Sequence, residues 1–379
     1  MTTVYLVRHG EAEGNLYRRA QGQYDGRITA LGEKQIDLLA ERFRDVPLCA
    51  VYSSDLSRAL RTAEGVRRFH PELRVRQDRR LREINLGVWE DVPWGNVEHE
   101  NAQSLYFFNN VPEKWQVPEA ESFAALGARL REAVLDIAGK HAGGSVAVCS
   151  HGMAIRTLLM DTLRREGRTE NPGHGDNTSV SVLEVEGEKI HLACINDASH
   201  LPTELSTLAR QEWWRHEGSG ELNNMRIEPL VLPEEQDVYL DCYADAWRFA
   251  HGDLRGFVPE LYLRSAETHA AQDARALVKV LRGDALAGIV ELDLLRGAQE
   301  GYGWISFLYL RPEMRSRGLA AQLLGHAVSV FRKTGRRSIR LYVSVENPKA
   351  AAFYQRNGFC ELGVEPGVAA PLRLLEMPL

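Results

Sequence analysis

Short apolar runs recur along the chain, separated by longer stretches whose apolar positions fall every three or four residues. The runs Thr3–Val7, Leu48–Tyr52, Ser145–Cys149, Ser179–Val185 and Ile190–Asn196 predict strands. Between them Thr29 reads as the N-cap of a helix, and the spacing predicts helices over Ser57–Phe69, Ser122–His141 and Gly152–Arg165. Farther on, Ala287–Leu294, Gly303–Leu310 and Ser338–Val343 predict strands. One helix opens near Gly318 and another covers Pro348–Asn357. Such alternation is the signature of an α/β chain.

The pattern breaks at 216–224, His216-Glu217-Gly218-Ser219-Gly220-Glu221-Leu222-Asn223-Asn224, a polar, glycine-bearing stretch. A fresh strand pattern starts at Met225-Arg226-Ile227. We therefore expect a first domain over 1–215, a linker over 216–224 and a second domain over 225–379. The length of 379 residues suits two domains, each able to bury its own core. A net charge of -6 argues against nucleic acid as a partner. No apolar run approaches the roughly 20 residues of a membrane span, and the N-terminus does not read as a signal peptide. The five cysteines (Cys49, Cys149, Cys194, Cys242, Cys360) are scattered, without a CxxC pair. That favours a reducing, cytoplasmic setting with neither disulfides nor a zinc site. Cys149, inside an apolar run, reads as a buried strand residue.

Three predicted strands of the first half end in polar residues: Arg8-His9-Gly10, Ser53-Ser54-Asp55 with Arg58 just beyond, and Ser150-His151-Gly152. In an open parallel sheet, ligands bind outside the carboxyl ends of the strands, so these loops converge. Phosphoryl transfer needs positioning and positive hydrogen-bond donors around the equatorial oxygens, which Arg8 and Arg58 can supply as planar forks. His9 is the candidate nucleophile, kept neutral by the neighbouring guanidinium charges. His151 is a further donor, and Glu83 is the candidate acid and base. Glu11 and Glu13 read as solvent charges and His200 as a structural hydrogen-bonder.

These residues sit in LVRHGEAEGN (Leu6–Asn15), QGQYDGRIT (Gln21–Thr29), SSDLSRALRTAE (Ser53–Glu64), LREINLGVWE (Leu81–Glu90) and SHGMAIR (Ser150–Arg156), with Asn196–Leu201 as a closing segment. In that order the motifs resemble the histidine phosphatase superfamily, the phosphoglycerate-mutase-like fold, over about 200 residues. The resemblance implies a doubly wound, mostly parallel sheet and a phosphohistidine at His9, with Arg8, Arg58 and His151 around the phosphate and Glu83 as acid/base. It also implies Asn15, Gln21 and Gly22 on the substrate side, and neither metal nor cofactor. One departure stands out: family members commonly have Gly after the Trp-Glu pair, where this chain has Asp91. Glu83 and His151 lie 68 residues apart (151 minus 83), without a long insertion, which favours hydrolysis over a mutase reaction. The aromatic stretch Trp89–Trp115, with Trp94, Tyr106, Phe107 and Phe108, reads equally as an apolar lid, as core or as a dimer contact.

The second half carries Arg315-Ser316-Arg317-Gly318-Leu319-Ala320, R-x-x-G-x-A, between a strand and the apolar helix Ala321–Phe331. Backbone N–H groups of such a turn, with a helix N-terminus behind them, suit a pyrophosphate. With Asn347–Phe359 one strand later, this half resembles the GNAT acetyltransferases over Met225–Leu379. The resemblance implies an α+β domain with a splayed central sheet and acetyl-CoA bound by Arg315, Ser316, Arg317, Gly318, Leu319 and Ala320. It further implies Leu308 and Leu310 along the pantetheine arm, Asn347 on the cofactor, and Tyr354 protonating the leaving thiolate. The glutamate common on the splayed strand is absent from Trp304–Leu310, and Glu291 or a water chain stands in as base. Tyr243, Trp247 and Tyr262 are candidate contacts for the acetyl acceptor.

The expectation is a bifunctional enzyme acting on small molecules: a metal-independent phosphomonoesterase joined to an acetyl-CoA-dependent N-acetyltransferase, with a homodimer left open. The alternative is a phosphoglycerate-mutase-type transferase with a C-terminal module that senses acetyl-CoA.

Overall fold

The computed structural model describes residues 1–211, 224–367 and 370–379. These form two compact units, Met1–Val92 with Glu100–Leu222, and Pro93–His99 with Asn223–Leu379. The expected linker 216–224 lies, apart from Asn224, outside the described residues. Pro93–His99 joins the second unit, where the Asn96 side-chain amide donates to the carbonyl of Ile227 and accepts from its N–H, both at 2.9 Å.

The first unit is built on β1 (Thr2–Arg8), β2 (Leu48–Ser53), β3 (Val75–Gln77), β4 (Ser145–Ser150), β5 (Val180–Glu186) and β6 (Lys189–Asp197), in the order β3-β2-β4-β1-β5-β6. β1 to β4 run parallel, and β5 and β6 are antiparallel additions at one edge. Helices cover both faces, as a doubly wound sheet requires. On one face Leu39, Phe43, Ala63 and Val66 of the helices Ala30–Phe43 and Ser57–Arg67 pack on Val7, Val51, Ala147 and Cys149. The helices Phe123–Lys140 and Gly152–Arg165 take the other face with fully buried leucines such as Leu130 and Leu158. Thr29 caps the first helix through the N–H of Gly32, as its position in the sequence indicates. Register places Arg8 beside Ser150 and Ser53 beside Cys149, so three strand ends meet at one edge of the sheet.

The second unit holds β7 (Arg226–Pro229), β8 (Leu277–Arg282), β9 (Ala285–Asp293), β10 (Tyr302–Leu310), β11 (Ser338–Ser344), β12 (Cys360–Glu365) and β13 (Leu372–Pro378), ordered β12-β13-β11-β10-β9-β8-β7. β10 and β11 pair only from Tyr302 to Trp304, against Ser338 to Arg340. A bulge at Ile305/Phe307 then turns β10 away, and the sheet splays open between the two strands. The helix Ala320–Lys333 is buried at every position from Ala321 to Phe331, a pattern of core rather than of an amphipathic surface helix.

Candidate functional site

At the carboxyl edge of the first sheet, His9 is 5% exposed and its Nδ1 donates to the carbonyl of Gly10 at 2.7 Å. A carbonyl only accepts, so Nδ1 carries the proton and Nε2 keeps its lone pair. Burial, followed by the charges of Arg58 and Arg8, holds the His9 pKa well below its ordinary 6.5. The ring of His151 lies 5.2 Å away, centroid to centroid, and both its nitrogens are buried without a hydrogen-bond partner. Burial, then Arg58, depresses its pKa as well.

The two arginines are held by backbone carbonyls. Arg8 Nη1 donates to Gly175, while Arg58 donates from Nη1 to Tyr24 (2.9 Å) and from Nη2 to Gly22 (2.6 Å). Burial brings Arg58 down to about 10. The Nε atoms of both arginines and Nε2 of Gln21 are buried with no partner. Buried donors are normally satisfied, so the orphaned Nε atoms of Arg8 and Arg58, both charges felt by His9, fit a bound oxyanion.

Glu83, 7% exposed, accepts from Ile84 and Ala154 on Oε1 (2.9 and 2.8 Å) and from Met153 on Oε2 (3.0 Å). Burial nonetheless raises its pKa. Asn15 Oδ1 accepts the N–H of Ala12 at 3.1 Å, and Gln21 Oε1 that of Gly14 at 3.1 Å. Gly22 packs so closely that a Cβ there would stand 2.3 Å from Glu90 Oε1 and from the Ile84 carbonyl. The structure thus brings His9, Arg8, Arg58, Glu83 and His151 to one edge.

The departure at Asp91 has a structural counterpart. Asp91 adopts φ +60, is 3% exposed, and pairs with Arg19 Nε at 2.6 Å. With the Asp91 N–H on the Ala20 carbonyl, this ion pair fastens the segment leading to Gln21. Glu11 overturns its reading as a solvent charge. It is 4% exposed, accepts from Thr29 Oγ1 at 2.7 Å and from Thr207 at 3.2 Å, and burial raises its pKa. The chain folds back on itself after Gly10, carrying the carboxylate inward. His200 lies between Arg42 (3.2 Å) and Thr178 (3.1 Å) in a structural role, and Cys149 is fully buried. In the aromatic stretch, Phe108 and Trp115 are buried edge-to-face against Trp89, whereas Tyr106 is 58% exposed.

Sequence reasoning left two neighbours unassigned. Asn177, fully buried three residues before β5, donates to the His9 carbonyl at 2.9 Å. Its signal was its place: β5 runs antiparallel to β1, so it begins where β1 ends. Arg156, one helical turn beyond Gly152, has its Nε buried without a partner. Burial, then the charges of Arg156 and Arg8, brings His174 down to about 4, so these groups share one electrostatic neighbourhood.

In the second unit a cavity of about 1020 Å³ opens between the splayed strands. Ile305–Leu310, Leu341–Ser344, Arg315, Ser316, Gly318, Leu319, Ala320, Asn347 and Tyr354 line it, with Arg317 outside the lining. Gly318 has φ +76, and a Cβ there would meet no protein atom within 4 Å, so its backbone conformation calls for glycine. The Arg315 N–H is engaged by the Pro312 carbonyl, which removes it from the expected row of anion donors. Asn347 Oδ1 caps the helix Pro348–Arg356 through the N–H of Ala350. Tyr354 is 8% exposed, and burial raises its pKa.

Glu291 lies outside the cavity lining. It is 2% exposed, holding Tyr239 Oη on one oxygen (2.8 Å) and His269 Nδ1 on the other (2.7 Å). Burial opposes the charged form of His269, but the hydrogen bond and charge of Glu291, with Asp293, more than offset it and raise its pKa. Glu291 is therefore part of a buried polar cluster. Tyr243 and Tyr262 stack on each other at 4.2 Å, and Trp247 faces the cavity with Nε1 buried and unpartnered.

A mostly parallel sheet with two histidines and two arginines at its carboxyl edge, followed in the chain by a sheet splayed over a cavity, defines an α/β unit and an α+β unit. A model of the histidine phosphatase superfamily (branch 1) matches residues 4–198, and one of the acetyltransferase (GNAT) family matches 236–359. The chain belongs to the histidine phosphatase superfamily and carries a GNAT domain after it. It is 38% identical over 181 residues to a probable phosphoglycerate mutase GpmB of Yersinia enterocolitica, covering 48% of this chain and 84% of that one. Among solved structures it is similar to Bacillus stearothermophilus YhfR, at 34% identity and TM-score 0.49 over 53% of this chain and 99% of that one. A mycobacterial glucosyl-3-phosphoglycerate phosphatase is similar at 24% identity and TM-score 0.46, over 52% and 99%. No described helix is long and apolar enough to cross a membrane.

Proposed function

We propose that the first unit hydrolyses phosphomonoesters through a phosphohistidine at His9, and that the second transfers acetyl from acetyl-CoA to an amine. The observation that carries the first reading is the fixed tautomer of His9, whose Nε2 lone pair shares the site with the orphaned donors of Arg8, Arg58 and His151. Nε2 attacks phosphorus in line as the ester P–O bond breaks, while those donors hold the equatorial oxygens. Protonated Glu83 gives its proton to the leaving alcohol. As carboxylate it then takes a proton from the water that cleaves the N–P bond, releasing phosphate and restoring His9. Asn15, Gln21 and Gly22 shape the substrate side. No step calls for a metal.

The test is phosphate release from a panel of phosphomonoesters with EDTA present, wild type against His9→Ala. Hydrolysis that survives EDTA and is lost in the variant supports the reading. The name of the curated relative favours a second reading, a mutase, which exchange between monophosphoglycerates without net phosphate release would establish.

For the second unit, the cavity fits an anionic thioester cofactor. Its lining includes Arg315, Lys349 and Arg356, and among the described residues contains neither Asp nor Glu. When bound, acetyl-CoA supplies an activated acyl group. Gly318 and its neighbours would hold the pyrophosphate, Leu308 and Leu310 the pantetheine, and Asn347 the cofactor through its free amide. The Tyr354 hydroxyl would donate a proton to the thiolate. Acetylation of any primary amine, lost in Tyr354→Phe, supports this role. Five free cysteines and a charge of -6 accord with small-molecule chemistry in a reducing cytoplasm.

A further inference from the structure

Glu90 touches neither histidine, yet it grips the peptide that grips Arg58. Its Oε1 accepts the N–H of Gln23 at 2.7 Å and that of Leu86 at 3.0 Å, and its Oε2 accepts the N–H of Tyr24 at 2.9 Å. The Gln23 N–H belongs to the same peptide unit as the Gly22 carbonyl, which receives Arg58 Nη2 at 2.6 Å. The next carbonyl but one, that of Tyr24, receives Arg58 Nη1 at 2.9 Å. A carboxylate on the N–H side of a peptide and a guanidinium on its C=O side polarise that peptide in the same sense, and each bond strengthens the other. Gly22 is what allows this approach, since a Cβ there would collide with Glu90 Oε1.

From this geometry we infer that Glu90 is a positioning residue for phosphate binding, acting through the Gly22–Tyr24 loop to fix the Arg58 fork. Two carbonyls fix both Nη atoms, which sets the direction of the orphaned Nε–H and of the remaining Nη protons. The bond to Leu86 ties the same carboxylate to the segment that leaves Glu83, so one side chain spans the loop behind the phosphate donor and the strand of chain carrying the acid. The negative charge of Glu90 also favours the charged form of Arg58. This inference rests on the phosphohydrolase reading of the first unit.

The test is a double-mutant cycle on the full chain, using orthovanadate affinity as a probe of the phosphate site and p-nitrophenyl phosphate for turnover. Glu90→Ala should weaken vanadate about tenfold, the size expected for losing a charge-assisted contact. Arg58→Ala should weaken it at least as much. The double variant should be no more than about twofold weaker than Arg58→Ala alone, because coupled residues are not additive. Glu90→Gln keeps one acceptor oxygen, should lose less, and carries the cycle if the alanine variant does not fold. Losses that multiply, or vanadate binding at wild-type strength in both Glu90 variants, overturn the inference. A wild type that neither binds vanadate nor releases phosphate overturns the hydrolase reading and this one with it, whereas an active wild type with an additive cycle overturns this one alone.

Discussion

Glu83 Oε1 lies 2.8 Å from the backbone nitrogen of Ala154, so the proposed acid/base also caps the helix that begins directly after His151. Acid and imidazole donor are thereby fixed by one helix end, although 68 residues separate them (151 minus 83). Glu83→Ala should lose both functions, about 1 kcal/mol of stability as a lost cap and on the order of 10²- to 10⁴-fold in kcat as a lost proton donor. Glu83→Gln retains an acceptor oxygen and should keep most of the stability while losing the turnover. Thermal melts beside phosphate-release assays separate the two, and a glutamine variant with wild-type kcat would exclude the proton-transfer role.

The pH profile follows from opposite shifts. His9 stays neutral well below 6.5 through burial and its arginine neighbours, while burial raises Glu83. Phosphoryl transfer needs neutral His9 and protonated Glu83. kcat/KM should therefore be high in the mildly acidic range and fall as pH rises through the raised Glu83 pKa. Glu83→Gln should abolish that fall.

Stability carries the same signs. His9 and His151 are depressed in the fold, so their contribution is intact above the unfolded value near 6.5 and is lost as pH drops toward the folded values. Glu83 works in reverse: its contribution is present below about 4.5 and is lost as pH rises through the folded value. Denaturant titrations from pH 5 to 8 should show the wild type losing more stability on acidification than His151→Asn does.

Asp91 sits at φ +60, in the left-handed region that favours glycine. Asp91→Gly should gain about 1 kcal/mol from the left-handed backbone but lose more, about 3 kcal/mol, by taking the carboxylate from a buried ion pair. The net effect should be a lower melting temperature together with a higher KM for phosphomonoesters, because the segment before Gln21 loosens. A stabilised variant would mean that the pair contributes nothing beyond its backbone strain.

Gly318→Ala combines φ +76 with a Cβ aimed into open cavity space. It should raise the KM for acetyl-CoA at least about tenfold, from backbone strain of about 1–2 kcal/mol and a displaced anion contact. Phosphate release by the first unit should be unchanged in the same preparation, which controls for folding. Wild-type KM would remove this turn from the cofactor site.

Most of the first sheet was legible because β1, β2 and β4 are short apolar runs ending in polar residues, a pattern that buried parallel strands force on a sequence. The helix Gly152–Arg165 was likewise visible to the residue. β3, with three residues, and β12, exposed throughout, carry no such signal. The helices Gln236–His251 and Pro259–Gln272 are not among the predicted elements, and the stacking of Tyr243 on Tyr262 that joins them is a tertiary contact no local pattern records. In the site, residues that act by side chain on a motif were readable. Those acting through backbone were not: Glu90 binds three N–H groups and Asn177 binds a carbonyl, and no residue pattern records which peptide a side chain will meet. Glu11 was misjudged for the same reason, since only the path of the chain after Gly10 decides that its carboxylate turns inward.

β1 gains both of its partners only after β2 and β3 have gained theirs. It precedes the other strands of its sheet in sequence, yet it pairs only with β4 and β5, whose residues lie beyond position 144. During synthesis the strand that bears Arg8 and leads into His9 must therefore wait, apolar and unpaired, until Ser145–Ser150 have been made. Such a delay raises contact order and slows folding. It also leaves the apolar segment that leads into His9 exposed to aggregation while the chain is being made.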